Sequence, residues 1–168
     1  MPDYTISSGD YIRPYRSPGG SPPLRSAPEA ASQVYLTGDV LQMTDGTVER
    51  ASTSGSTLTS ITIAGVAAEP ASSVTGTKRL YFTARPNTEF WARTRGGVTA
   101  SSNVGAVYGM FRDSSKNVWL VDLGNATSTG GRVIVTECVD STGSSGGAVA
   151  FAFGTYNSTV VPFVGHSA

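Results

Sequence analysis

From Val34 onward, apolar and polar residues alternate in short runs broken by turn residues, the period-two signature of strands with one face in a core. "DVLQMTDGTVERA" is the sharpest local case. Asp45-Gly46 fits a tight turn with positive backbone angles, and it joins two apolar-containing runs into a hairpin. Leu58–Val66 forms the next run. In "KRLYFTA", Leu80 and Phe82 share one face and Arg79 and Tyr81 the other; in "TEFWAR", Phe90 and Ala92 oppose Trp91 and Arg93. "GAVYGMFRD" and "NVWLVDL", separated by Ser114–Lys116, read as a second hairpin. "RVIVTECV" sets Val133, Val135 and Glu137 against Ile134, Thr136 and Cys138. "AVAFAFGTY" places Val149, Phe151 and Phe153 on one face and Ala148, Ala150 and Ala152 on the other, which fits a strand squeezed between a core and a close neighbour. Strands about ten residues apart, polar turns and no sustained helical period predict an all-β fold, a compact sandwich or barrel.

The leading residues are written differently. Six of the nine prolines (Pro2, Pro14, Pro18, Pro22, Pro23 and Pro28) fall in the first 33 residues. Proline fixes its own φ and pushes the preceding residue toward extended geometry. Residues 1–33 are therefore expected to form an extended Pro-rich arm, with a weak helical turn around Ala27–Gln33, and residues 34–168 a β-rich domain. Such an arm keeps backbone N–H and C=O groups that can add to a neighbour's sheet edge. Its candidate partner-binding residues are Tyr4, Tyr11 and Tyr15, which offer large contact area at low entropic cost, and Arg13, Arg16 and Arg25, which can pair with carboxylates. Prolines, Pro14 among them, restrict the free arm and reduce the entropy lost on docking. Gly19-Gly20 would let it bend midway. The competing expectation is an arm that is simply disordered.

Composition narrows the classes. Charged residues make up 14% of the 168-residue chain, against about 25% in ordinary domains, and twelve basic residues balance twelve acidic ones. No basic face points to nucleic acid, and no run of eighteen apolar residues points to a membrane span. With 22 Ser, 20 Thr and 20 Gly, the surface is cheap to dehydrate and strands few charges, which suits a protein packed against others. The single cysteine, Cys138, excludes an internal disulfide framework and reads as a buried strand thiol. The N-terminus lacks the basic-then-apolar signature of a secretion signal, so synthesis in a reducing cytoplasm is expected.

Candidate chemistry is sparse. His166, the only histidine, lies two residues from the end of the sequence, where a rigidly held Ser-His-Asp triad is not expected. "DSTGSSGG" has the glycine-flanked serine of some proteases, but Ser/Gly runs recur throughout the chain. One Cys and one His cannot make a structural zinc site, and no loop has the carboxylate density of a calcium site. Asp113, Asp122, Glu137 and Asp140 are candidate carboxylates for glycoside hydrolysis, each more simply a turn or solvated strand residue. No lysine stands where a phosphate-cradling loop needs one. No catalytic residue, cofactor or metal is expected. Asn125-Ala126-Thr127 and Asn157-Ser158-Thr159 fit the glycosylation pattern, which hydroxyl-rich chains produce by chance. Trp91, Trp119 and Tyr156 are candidates for a carbohydrate- or receptor-binding face.

"TGDVLQMTDGTVERA", "ITIAGVAAEP" and "VGAVYGMFRDSSKNVWLVDLGNATSTGGRVIVTEC" together resemble the head decoration, or capsid cement, proteins of tailed bacteriophages. The likeness lies in the order and spacing of a Gly-Asp-apolar strand, a short hairpin, the "AGVA" segment and a "VG..YG" strand before a "V..VD" strand. It spans about residues 34–139, and the long arm and the region after Val139 extend beyond the shortest members. The resemblance implies a β-tulip-type domain on the outer surface of a phage head, made in the host cytoplasm and clamping neighbouring major capsid proteins against internal DNA pressure. It also implies a non-enzymatic role, and self-association as a trimer at three-fold positions or as a dimer. The alternative function is a receptor- or carbohydrate-binding β-module of a head or tail fibre, and a small hydrolase is a third.

Overall fold

A computed structural model describes residues 4–20, 22–59, 62–85, 87–126, 132–155 and 164–165. Their strands are β1 (Arg13–Arg16), β2 (Leu24–Pro28), β3 (Val40–Thr44), β4 (Thr47–Arg50), β5 (Thr53–Ser54), β6 (Thr57–Leu58), β7 (Ile63–Ala67), β8 (Lys78–Thr83), β9 (Glu89–Arg95), β10 (Val107–Asp113), β11 (Val118–Ala126), β12 (Val133–Cys138), β13 (Ala148–Thr155) and β14 (Val164–Gly165). One 3-10 turn, Ser101–Asn103, is the only helical element among the described residues. The fold is all-β, as the alternation predicts.

Strands β9, β11, β10, β12 and β13 follow one another by hydrogen bonding, and β13 returns to β9, so this sheet closes into a barrel. All its pairings are antiparallel except β9 with β11. Closure removes the free edges of these strands. The interior is filled from one face of each strand. Phe90, Phe151 and Phe153 form a triad with ring centroids 5.1 to 6.0 Å apart, and Met110, Trp119, Val121, Val133, Val135 and Val149 pack with them. The β10–β11 hairpin turns where expected: Asp113 accepts hydrogen bonds from the N–H groups of Ser115 and Lys116, and Asn117 adopts a φ of +55°.

One face assignment is corrected. The β12–β13 register slips between Val135 and Glu137. The extra residue in the strand moves Glu137 opposite Ala150, on the outer face, and Cys138 opposite Val149, against the core. Burial pushes the half-buried Cys138 thiol upward in pKa, and its Sγ lies 3.2 Å from the carbonyl of Ala100.

A second, five-stranded sheet runs β2-β8-β7-β3-β4. Its β3–β4 hairpin has Asp45 at φ +48° and Gly46 at +79°, the doubly left-handed turn that Asp-Gly predicts. At Gly65 the chains approach so closely that a Cβ would overlap the carbonyl oxygen of Phe82. One face of this sheet, through Val40, Val66 and Phe82, joins the barrel core. The other face, through Ala27, Leu41, Val48, Ala67 and Tyr81, forms a smaller cluster with Tyr35. Buried Glu29 organises that cluster, accepting hydrogen bonds from the Ser72 N–H at 2.8 Å and the Tyr35 hydroxyl at 3.5 Å. Desolvation, reinforced by the Glu29 charge, pushes Tyr35 up to about 12. Asp39 ties the two bodies together: its carboxylate accepts from Trp119 Nε1 and from the Leu36 N–H, both at 2.9 Å.

The leading residues are extended, but they lie on their own chain. β1 pairs antiparallel with β9, and β2 pairs antiparallel with β8. Ile12 belongs to the large core and Ala27 to the small one. No helical turn occupies Ala27–Gln33, because Ala27 and Pro28 complete β2. The physical reason is that both strands sit at sheet edges, where Pro14 and Pro28 cost no interior ladder bond.

Candidate functional site

The candidate site is the leader, residues 4–28, together with the barrel face beneath it. β9 turns Phe90 and Ala92 inward, so period two turns Trp91 and Arg93 outward. The adjacent β13 sets Ala150 opposite Trp91 and Ala148 opposite Arg93. These alanines add no bulk beside the two large side chains, and both are buried.

Arg93 is the centre of this face. Its Nε lies 3.1 Å from Asp10 Oδ1 of the leader, and its Nη1 lies 2.7 Å from Asp140 Oδ2 of the barrel. Its guanidinium also stacks 4.4 Å from the Tyr4 ring and 5.2 Å from the Trp91 ring. Asp140 is itself held, accepting from the Ala148 N–H at 2.9 Å. Burial pushes the Asp10 carboxyl up, but the Ser7 N–H, the Arg93 guanidinium and the Ser7 hydroxyl outweigh it and leave it below the usual aspartate range. Asp39 goes the other way. Burial raises it, only partly opposed by the Leu36 N–H and the Arg112 charge.

The predicted partner-binding residues divide into two groups. Tyr4, Arg13, Pro14 and Arg16 are engaged within the chain. The Tyr4 N–H donates to the Ser145 carbonyl at 2.9 Å, Arg13 stacks 3.9 Å from the Trp91 ring, and Pro14 stands opposite Phe90. Arg16 pairs with Glu89 at 3.2 Å and with Glu137. Tyr11, Tyr15 and Arg25 keep an outward aspect: Tyr11 is 38% and Tyr15 37% exposed, and Arg25 is exposed on β2. Leu24 and Leu80, on the paired strands β2 and β8 of the second sheet, are also exposed, at 49% and 39%. Sequence reasoning missed Arg93 and Asp10 as site residues, and it weighed Asp140 only as a candidate hydrolase carboxylate. Only the outward phase of Arg93 beside Trp91 signalled them.

The competing sites are explained structurally. Trp119 is fully buried and Trp91 nearly so, which removes both from the carbohydrate-binding reading. Asp113 closes a hairpin, Asp122 faces Arg95 at 3.8 Å, Glu137 meets Arg16, and Asp140 meets Arg93. Among the described residues, no group of three or more His, Cys, Asp or Glu could hold a metal ion, and no helix is long and apolar enough to cross a membrane. His166, Tyr156 and the Asn157 triplet lie outside the described residues, as does Thr127 of the other triplet. A polar cleft of about 280 Å³, lined by Gln33, Val34, Glu49 and Ser52 among others, opens beside the β3–β4 hairpin. Its Glu49 is already engaged by Gln42 at 2.6 Å and Thr44 at 2.8 Å.

No protein-family model, curated protein or solved structure matches this chain.

Proposed function

We propose that this chain is a non-enzymatic capsid decoration protein that binds the outer surface of a phage head and bridges neighbouring major capsid proteins. The observation that carries the reading is the outward side of the leader. Residues 4–16 are fixed to the barrel and β2 to the second sheet, while Tyr11, Tyr15, Leu24 and Arg25 stay exposed on or beside two edge strands, β1 and β2. Outer edges of this kind accept a partner strand through main-chain hydrogen bonds. Exposed tyrosines and leucines supply the area that a partner can dehydrate. Because the leader is already ordered, docking loses little chain entropy, so this rim works as a preformed surface and not as a free arm. The sequence resemblance over residues 34–139 and the charge-poor, hydroxyl-rich surface support the same reading. The burial of Trp91 and Trp119 leaves the carbohydrate-binding alternative without its two tryptophans.

The test is cosedimentation with capsid shells lacking decoration. Tyr15→Ala combined with Leu24→Asp should abolish binding while thermal unfolding stays near that of the parent. Retention of full binding by this folded double variant would remove the rim from the mechanism, and absence of binding by the parent protein to any such shell would remove the function.

A further inference from the structure

The leader has the construction of an exchangeable element. Nearly all its contacts are with the barrel and few are with itself. Within residues 4–16 the internal bonds are those of one short turn, Asp10 N–H to the Ser7 carbonyl and Ser7 to the Asp10 carboxylate. Apart from the Arg16 guanidinium over the ring of its neighbour Tyr15, the other contacts reach across to the body: Tyr4 to Ser145, Asp10 to Arg93, Ile12 into the core, Arg13 to Trp91, Arg16 to Glu89 and Glu137, and β1 along β9. A segment of this kind makes the same contacts whichever copy of the chain supplies it.

The connection behind it is built to open. Ser17, Pro18, Gly19 and Gly20 make a turn closed by the Gly20 N–H on the Ser17 carbonyl at 3.0 Å. Gly19 and Gly20 stand at φ +83° and +84°, although nothing crowds either position within 4 Å. Glycine is needed there for the backbone angle, which folds the leader back, and not for space. Pro22 and Pro23 follow, residues that favour an extended course over a turned one. In the folded-back form two left-handed residues must be held. In a straightened form they need not be. When copies crowd together, the remaining cost of straightening is set against a high local concentration of identical leaders.

We propose that the barrel face formed by β9, Trp91, Arg93 and Asp140 is a receptor for the leader of a second copy, and that crowded copies exchange residues 4–16 between neighbours. The hinge lies at Ser17–Gly20. The exchanged form has the intramolecular contacts of the single chain, now made between molecules, so it creates oligomers without a new interface. This holds whether or not the outer rim meets a capsid.

The test traps the leader in the act. In a Cys138→Ser background, one chain carries Arg16→Cys and a differently tagged chain carries Glu89→Cys, positions that face each other across β1 and β9. The two are mixed, concentrated and oxidised. Exchange gives a disulfide-linked pair of unlike chains whose yield rises with concentration and exceeds that of Arg16→Cys mixed with a Ser56→Cys chain. Tyr4→Cys with Ser145→Cys repeats the reading at the other end of the leader, should either first variant fold poorly. Gly19→Ala with Gly20→Ala, which strains the folded-back turn, should raise the yield further. If the cysteine pairs bond within one chain when both are present, yet unlike chains never link above the control, the leader stays at home and the proposal fails. A lower yield from the glycine variant would remove the hinge.

Discussion

The barrel and the leader are held by different forces, and each can be perturbed without the other. The barrel interior is apolar: a phenylalanine triad, a tryptophan and a ring of valines, all with essentially no exposure. Residues 4–16 are held by the β1–β9 ladder and by polar contacts centred on one arginine shared between two carboxylates and two aromatic rings, with Ile12 reaching the core. Apolar burial depends little on pH and salt, whereas ion pairs depend on both. Such a chain should open in stages, leader first.

The strongest way to break that contrast is inside the barrel. Phe151→Ala removes a ring that touches both Phe90 and Phe153. It should cost about 3–5 kcal/mol in denaturant unfolding, with leader and barrel lost together. If only the leader were lost, the barrel would not be the more stable unit. Next in size is Arg93→Ala, which strands Asp10 and Asp140 and removes both ring contacts. For a side chain that is 17% exposed, the loss of docking should be about 2 kcal/mol, below that of a fully buried pair. Amide hydrogen exchange should then rise sharply over residues 4–16 while β9–β13 stay protected.

Much of the barrel was legible because period-two alternation survives translation into faces: the β3–β4 and β10–β11 hairpins and the inward Phe90, Val133 and Phe151 all follow from it. The β12 bulge was not legible, since one extra residue leaves no mark in the composition of the strand. The leader's pairing with β9 and β8 was not legible, because proline content reports poor strand formation in a sheet interior, and β1 and β2 are edge strands. The Arg93 cluster escaped for a different reason. It joins residues separated by 83 and 47 positions, a distance over which no local pattern operates.

Smaller effects sharpen the comparison further. Because docked Asp10 lies below the usual aspartate range, its contribution to docking is fully present above that range and is lost as pH falls through the docked value. Asp39 has the opposite sign: raised by burial, it favours the folded state at low pH and loses that contribution as pH rises through its folded value. Acid should therefore loosen residues 4–16 before it disturbs the junction at Asp39, measurable as amide exchange against pH. The least effect belongs to Arg16→Ala. With 55% of its side chain exposed, its pairs with Glu89 and Glu137 should contribute about 0–1 kcal/mol, fading further in high salt.

The slip in β12 also offers an engineering handle. Deleting Thr136 would leave a regular ladder with Glu137 still outward and Cys138 still inward, whereas keeping Thr136 and flattening the bulge would invert the strand beyond Val135. The thiol of Cys138 would then emerge where the glutamate now greets Arg16, and the acid would be driven toward the phenylalanines. One surplus amino acid thus decides whether this wall of the cylinder shows its neighbour a negative charge or an oxidisable sulfur.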